Sequence, residues 1–234
     1  MKLLSLFTLI LFLSACQPAE KETKTATDTS DSTAKKEETT PSPAAEVSPL
    51  IEQPYDIVES DITCEEPVVI EFFAYQCPHC YKLESFAEAW KKKNQGKVKF
   101  QAVPTHLGHQ EFGSFLIVHQ TAKNLGILDK AMPALFKRLH EDKKTFASQD
   151  EAIAFLVALG ASEDAVKTAI SNEEKIKTGI DENFLLMQKY KISGVPTILV
   201  NHQYQFNVTK AGGYDKVFEV VEETLKLPSN CPSK

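Results

Sequence analysis

The sequence lacks a strong excess of either charge. It has 234 residues and a formal net charge of only −6 at pH 7. Binding to a phosphate backbone needs a broad cationic surface, so this composition argues against nucleic-acid binding. The negative charge is also too small to imply a cationic partner.

Repeats, long apolar runs and metal-binding patterns are also missing. No internal repeat is found, and no run of 18 apolar residues predicts a membrane-spanning helix. A structural zinc site needs two cysteine pairs or a matched histidine pair, and His106 and His109 have no predicted partners. Tyr81 stands where a haem-attachment motif needs histidine. We therefore predict neither a metal nor another cofactor.

The N-terminus has the pattern of an export signal. Lys2 is followed by a mostly apolar run from Leu3 to Leu13, which is too short to span a bilayer. The tetrapeptide Leu-Ser-Ala-Cys that ends at Cys16 resembles the lipobox of bacterial lipoproteins. We predict a lipoprotein signal peptide at residues 1–15 and lipidation of Cys16. The alternatives are an ordinary secretory cleavage and an uncleaved anchor.

The segment 16–50 has the composition of a disordered tether. It is rich in threonine and serine, contains prolines at 18, 41, 43 and 49, and has no aromatic residue. Such a segment cannot offset its own ordering entropy. Its r.m.s. reach would be roughly 30 Å for a flexible chain. It would attach a single compact domain, residues 51–234, to the inner or outer membrane.

The cysteines divide into three groups. Lipidation of Cys16 would leave four of the five cysteines, and export would expose them to an oxidising compartment in which cysteines pair. Cys77 and Cys80 form the motif Cys-Pro-His-Cys. Cys64 and Cys231 bracket nearly the whole domain, and we favour a structural disulfide between them over two free thiols.

The motif lies where a buried strand becomes a helix. Val68–Ala74 is a continuous β-branched and aromatic run, which is typical of a central strand covered on both faces. Beyond Cys80, apolar residues recur with helical spacing at positions 83, 86, 87 and 90. Cys77 is therefore predicted at the start of a helix.

The remaining pattern completes a mixed α/β fold. The predicted elements are a strand at Lys97–Val103, helices between residues 111 and 191 with starts at Ser148 and Ser162, strands at Thr197–Val200 and Gln203–Phe206, and a helix over residues 214–226. This order, β-α-β, a helical block and β-β-α, is a thioredoxin-like layout with a helical domain inserted at about residues 106–191.

Three segments resemble the DsbA family of periplasmic thiol oxidases. They are EFFAYQCPHCYKLE at 71–84, GVPT at 194–197 and VNHQYQFN at 200–207, and the similarity extends over roughly residues 51–228. The resemblance implies oxidation of unfolded exported proteins in the periplasm and reoxidation by a DsbB-like, quinone-linked membrane oxidase. No dimerisation module precedes the domain, so a monomer is expected.

The residue types of the motif suit a reactive thiol. If Cys77 is the N-cap, Pro78 occupies the first helical position, where its missing N–H costs nothing. A Cys77 thiolate would then accept hydrogen bonds from the N–H groups of His79 and Cys80 at the positive end of the helix dipole. A protonated His79 would stabilise it further, and Cys80 would be the resolving thiol. The alternative is a static disulfide.

Four further candidate site residues, Glu71, Glu84, Val195 and Pro196, are predicted mainly from the resemblance. Glu71 lies within an apolar strand, where a carboxylate is expected to be buried with a raised pKa. The resemblance implies proton exchange between Glu71 and Cys80; the alternative is a purely structural carboxylate. Glu84 is either a surface charge or a tuner of the thiolate. The resemblance also implies a cis Val195-Pro196 bond that turns the Val195 backbone toward Cys77 for substrate pairing.

Two other classes of function share these features. A disulfide isomerase or a reductase would have the same strand, helix and proline loop, although the Pro-His dipeptide and the helical insertion favour the oxidase. A non-enzymatic, chaperone-like binding lipoprotein could use the same fold without redox chemistry.

Overall fold

The computed structural model describes residues 53–231, which belong to one compact unit. The predicted signal peptide, Cys16 and the tether lie outside the described residues, and these assignments remain predictions. The strands in chain order are β1 Asp56–Ile57, β2 Val68–Phe73, β3 Lys99–Pro104, β4 Thr197–Val200 and β5 Tyr204–Asn207. The helices are α1 Pro78–Asn94, α2 Gly113–Asn124, α3 Leu128–His140, α4 Gln149–Ala158, α5 Glu163–Ile170, α6 Glu173–Lys189 and α7 Tyr214–Thr224.

The strands form one five-stranded mixed sheet in the order β1-β5-β4-β2-β3. β2 is parallel to β3 and antiparallel to β4. All six residues of β2 are buried, because elements cover both faces of the sheet. The central strand predicted from the continuous apolar run is therefore confirmed.

Helices α1 and α7 pack together on one side of the sheet. Leu83, Ala87 and Trp90 of α1 share a hydrophobic cluster with residues of β4, β5 and α7. The Trp90 ring stacks on Phe218 of α7 at a centroid distance of 5.5 Å. This packing fixes the direction in which the first turn of α1 points.

The helical insertion lies between β3 and β4 and comprises α2 to α6. Its core includes Phe115 and Phe136, which surround Phe73 and Tyr75 at the end of β2. The predicted helix start at Ser148 is confirmed, because its hydroxyl accepts a hydrogen bond from the Glu151 N–H at 3.2 Å. These features confirm the thioredoxin-like fold with an inserted helical domain.

Four strand assignments differ from the sequence-based prediction. β2 ends at Phe73, one residue before the predicted end at Ala74. β1 was not predicted, because a two-residue strand carries no readable alternation. β3 begins at Lys99 and includes Pro104, which is tolerated because β3 is an edge strand. β5 is displaced by one residue, because Val200 pairs with Tyr204 and the turn therefore includes Gln203 as well as the predicted Asn201 and His202.

Cys64 and Cys231 form a disulfide, with their Cα atoms 4.6 Å apart. The bond joins positions 167 residues apart, and in the chain-entropy model such a loop contributes on the order of 5 kcal/mol. Asn201 also holds the C-terminal tail, because its side-chain amide donates to Ser229 at 3.1 Å while its oxygen accepts from the Val68 N–H at 3.0 Å. The disulfide thus attaches the tail beside the start of β2.

Candidate active site

Cys77 is the N-cap of α1, and Pro78 is the first residue of the helix. The Cys77 backbone is extended, with φ −81° and ψ 117°, so its side chain turns back over the first helical turn. The Cys80 N–H donates to the Cys77 sulfur at 3.4 Å. The sulfur therefore takes the place of the side-chain oxygen that usually satisfies a free N–H at a helix start.

The surroundings of Cys77 favour its thiolate. Cys77 and Cys80 are free thiols in this structure. The hydrogen bond from the Cys80 thiol is the largest influence and, with the N–H groups of Cys80 and His79 and the charge of His79, it lowers the pKa of Cys77 to about 6 against the opposing effect of burial. At neutral pH Cys77 is therefore mainly an anion.

Cys80 has the opposite environment. Its side chain is fully buried. Burial, the hydrogen bond to Cys77 and the negative charges of Cys77 and Glu71 raise the pKa of Cys80 far above that of a free thiol. The two thiols therefore differ in both access and acidity: Cys77 is half-buried and ionised, whereas Cys80 is inaccessible and protonated.

Val195 and Pro196 lie beside the redox pair. The Val195-Pro196 peptide bond is cis, and the Val195 carbonyl oxygen is 3.7 Å from the Cys77 sulfur. A groove of about 450 Å³ runs along this loop and is lined partly by His79, Lys210 and Tyr214. The loop and His79 of the redox motif therefore border the same concave surface.

A buried acidic pair lies beneath the helix start. Glu71 is 1% exposed and Glu84 is 5% exposed, so the surface-charge alternative for Glu84 is wrong. No described residue hydrogen-bonds to the Glu71 carboxylate, and Ala102, opposite it in β3, offers no polar side chain. Burial, opposed by the charge of Lys91, raises the Glu71 pKa.

Lys91 connects this acidic pair to the surface. Its Nζ lies 3.6 Å from Glu84 Oε1 and also contacts the partly exposed Glu88. Burial and the charge of Glu71 raise the pKa of Glu84, while Lys91 partly offsets both effects. The arrangement therefore places the Lys91 cation next to the buried carboxyl groups.

The insertion contacts the site through residues that no local sequence pattern indicates. The Tyr75 hydroxyl is 2.8 Å from His119 Nδ1, and burial together with the charge of Lys123 lowers the pKa of His119 to about 3. His119 is therefore neutral, and its Nδ1 and the Tyr75 hydroxyl share one buried hydrogen bond. His140 Nε2 donates to the Tyr75 carbonyl at 2.7 Å, and its ring stacks on Tyr81 at a centroid distance of 4.6 Å.

A second unpredicted contact lies on the outer side of the motif. His79 Nδ1 and the Tyr214 hydroxyl are 2.6 Å apart. The two residues are 135 positions apart in the chain, so no local pattern could have paired them. Only the packing of α7 against α1 brings them together.

The site contains two thiols and no metal-binding cluster. Within residues 53–231, no group of three or more histidine, cysteine, aspartate or glutamate side chains could hold a metal ion. In the same range, no helix has the length and apolar character needed to cross a bilayer. The fold and the paired thiols define a thioredoxin-like thiol:disulfide oxidoreductase with a disulfide-based redox centre.

Comparisons with known proteins narrow this class. A family model described as "Thioredoxin" matches residues 65–221. The thiol:disulfide interchange protein DsbA of Azotobacter vinelandii is 33% identical over 162 residues, which cover 68% of this chain and 73% of that protein. DsbA of Burkholderia cepacia is 30% identical over 166 residues, covering 69% and 77%.

Solved structures similar to this chain belong to the same family as these relatives. The crystal structure of Pseudomonas aeruginosa DsbA superposes with a TM-score of 0.65 at 26% sequence identity, covering 74% of this chain and 91% of that one. The chain therefore belongs to the DsbA family of thiol:disulfide interchange proteins. It is an enzyme, a protein disulfide oxidoreductase.

The pH dependence of the redox potential should reveal the Cys77 anion. With a Cys77 pKa of about 6, oxidation releases two protons below that pH and one proton above it. The potential should fall by about 59 mV per pH unit below the break and by about 30 mV per unit above it. The measurement is equilibration with a thiol couple of known potential between pH 4.5 and 8.

The same ionisation affects folding stability with a defined sign. The pKa of Cys77 is lowered in the folded, reduced protein, so its stabilisation is complete above the ionisation of an unfolded cysteine, near pH 8.5. That stabilisation is lost as the pH falls to about 6. For the redox potential, a single slope of about 59 mV per pH unit across the whole range would mean that Cys77 ionises like a free cysteine.

Proposed function

We propose that the protein donates the Cys77–Cys80 disulfide to unfolded exported proteins. The observation on which this proposal depends is the contrast between the two thiols: hydrogen bonds lower the pKa of Cys77 to about 6, while burial keeps Cys80 protonated. A stabilised thiolate stabilises the reduced enzyme relative to its disulfide. This difference makes the disulfide a stronger oxidant.

The size of the stabilisation of the reduced form follows from the ionisation of Cys77. At pH 7 a thiol whose pKa is about 6 is roughly ten parts thiolate to one part thiol. Relative to an unperturbed cysteine, this stabilises the reduced form by at most about 1.4 kcal/mol, because solvent screens the half-exposed sulfur. The corresponding rise in potential is at most about 30 mV.

The first step is attack by a substrate thiolate on the Cys77 sulfur. A new sulfur–sulfur bond joins substrate and Cys77, while the Cys77–Cys80 bond breaks and its electron pair remains on Cys80. Cys80 is fully buried, so only Cys77 is available for attack. The buried Cys80 anion then takes up a proton.

The second step releases the oxidised substrate. A second substrate thiolate attacks the substrate sulfur of the mixed disulfide, and Cys77 leaves with the electron pair. Two substrate thiols have then lost two electrons and two protons. The enzyme holds both electrons and, at neutral pH, one of the protons on Cys80, while the other proton is released to the solvent. The low pKa of Cys77 makes it a good leaving group.

Glu71 is proposed as the group that exchanges this proton with Cys80. Its negative charge contributes to the raised pKa of Cys80, so the two groups interact electrostatically. Burial raises the pKa of Glu71 into the range where a carboxyl group can both give and take a proton near neutral pH. The side chains of Glu84 and Lys91 lie on the path from Glu71 toward the surface.

Substrate is proposed to bind along the groove beside Val195 and Pro196. The Val195 carbonyl faces the Cys77 sulfur at 3.7 Å, so an extended peptide that pairs with this backbone would bring its own sulfur to Cys77. Backbone pairing does not read side chains. Such binding would therefore admit many unfolded sequences.

The cellular setting is proposed from the N-terminal sequence and the family. The enzyme would act as a monomer in the periplasm, anchored to the inner or outer membrane through a lipid on Cys16, with residues 17–50 as the tether. A DsbB-like, quinone-linked membrane oxidase would reoxidise Cys77 and Cys80. A membrane-attached enzyme and a membrane oxidase would meet without diffusing through the whole compartment.

Single cysteine substitutions test the proposed chemistry. In a glutathione redox buffer, the wild-type protein should oxidise a reduced two-cysteine peptide at least about tenfold faster than the buffer alone. Cys77→Ser should fall to the buffer rate. Cys80→Ser should accumulate mixed disulfides at Cys77, detectable by intact mass, because it cannot form the internal bond. Retained oxidation by Cys77→Ser would contradict the mechanism.

Glu71→Gln tests the proton exchange. The amide cannot take up or give a proton, so turnover at pH 7 should fall by about tenfold or more. The oxidised protein should stay folded, because the substitution removes a buried and unpaired carboxylate. Glu88→Gln is the matched control, since Glu88 also contacts Lys91 but is partly exposed rather than buried. Unchanged turnover in Glu71→Gln would leave Glu71 a structural role only.

Cys16→Ala tests the anchor in the full chain expressed in a bacterium. The wild-type protein should partition into detergent and carry a diacylglycerol mass increment on Cys16, whereas the variant should partition into water. A wild-type protein found entirely in the aqueous phase would refute lipidation and leave the oxidase chemistry untouched.

A further inference from the structure

The imidazole of His79 has a defined partner outside the motif. His79 is the second residue of α1, and its side chain is exposed at the mouth of the site. Its Nδ1 lies 2.6 Å from the Tyr214 hydroxyl, and the two rings are nearly parallel, with an interplanar angle of 22°. An exposed side chain with these contacts is restrained to one orientation.

Tyr214 is itself held over α1 by two further side chains. The Lys82 Nζ lies 4.3 Å from the centre of the Tyr214 ring, a cation–π geometry. Phe86 stacks on the other part of the ring at a centroid distance of 6.4 Å. Because 79, 82 and 86 lie on one face of α1, the Tyr214 side chain contacts residues from nearly two turns of the helix, and its hydroxyl reaches the first turn.

The backbone before Tyr214 makes this approach possible. Tyr214 begins α7 directly after Gly212 and Gly213, whose φ angles are 87° and 138°. These conformations strain any residue with a Cβ atom, so the glycine pair suits the sharp entry into α7. The position of the tyrosine is therefore set by the start of a packed helix rather than by a free loop.

We propose that Tyr214 is a positioning residue for His79, whose imidazole its hydroxyl holds beside Cys77 in both protonation states. The hydroxyl donates to Nδ1 of the neutral ring, which fixes the remaining proton on Nε2. When the ring is protonated, Nδ1–H donates to the phenolic oxygen instead. The same contact can thus be made by the neutral ring and by the protonated ring.

This inference rests on the proposed role of the Cys77 thiolate. The charge of His79 is one of the influences that lower the pKa of Cys77, and its strength depends on where the ring is held. Charged groups also lie nearby: Lys82 of α1 over the Tyr214 ring, and Asp56 and Lys210 in the lining of the same groove. None of these three makes the 2.6 Å contact that orients the imidazole.

Tyr214→Phe is the decisive variant, because it keeps the ring and removes only the hydroxyl. We expect the Cys77 pKa, followed by thiolate absorbance, to rise by about half a unit. The equilibrium constant for oxidation of glutathione should fall about threefold in parallel. Long-range ¹H–¹⁵N spectra should show that His79 loses its single neutral tautomer.

Tyr204→Phe is the matched control. It removes a phenol hydroxyl that donates to the Pro228 carbonyl at 2.5 Å, away from the thiols, and should leave the Cys77 titration unchanged. The melting temperature of each oxidised variant reports on folding separately. An unchanged Cys77 titration and glutathione equilibrium in Tyr214→Phe would overturn the proposal.

A double-mutant cycle with His79→Ala separates the possible failures. If Tyr214 acts through His79, Tyr214→Phe should have no further effect in the His79→Ala background. An additive effect would show that Tyr214 acts by another route and would overturn the inference alone. If His79→Ala itself left the Cys77 pKa unchanged, the proposed role of His79 in stabilising the thiolate would fail as well.

Discussion

A sulfur anion held at the start of a helix is the constraint on which this structure depends. The Cys77 sulfur occupies the N-cap position of α1 and accepts from the Cys80 N–H at 3.4 Å, while the Cys80 thiol supplies the strongest stabilisation of the anion. The anion is therefore stabilised by groups that exist in the dithiol form. When the disulfide forms, the thiol hydrogen bond is lost, and this difference drives electrons from substrate thiols toward the enzyme.

The rest of the fold keeps the two thiols unequal. The central strand β2 delivers the chain to the helix start from a buried position, and the helical insertion packs around Tyr75, two residues before Cys77. The hydrogen bond from His140 to the Tyr75 carbonyl and the stack of His140 on Tyr81 join the insertion to both sides of the motif. Cys80 is thereby buried away from solvent, which raises its pKa and leaves Cys77 as the accessible sulfur.

Much of this arrangement was predictable because its causes are local. The unbroken apolar run predicted β2, the N-cap preferences of serine predicted the starts of α4 and α5, and proline after Cys77 predicted the first helical residue. The bounds of β3 and β5 and the presence of β1 were not predicted correctly, because edge strands and turns depend on pairing partners rather than on alternation. The burial of Glu84 was undecided for a similar reason. Helical spacing shows which residues lie on the same helix face as Glu84, but it does not show which element covers that face.

By itself, the sequence determined the order of elements, the helix start at Cys77 and the chemistry available in Cys-Pro-His-Cys, because these depend on neighbours within a few positions. Only the tertiary structure decided which distant groups adjust that chemistry. It brings Val195 to within 3.7 Å of the Cys77 sulfur, Tyr214 to within 2.6 Å of His79, and Lys91 to the buried carboxyl groups. Such contacts arise from helices and strands packing across the sheet, and the electrostatic environment of a thiol depends on distances that no spacing along the chain specifies.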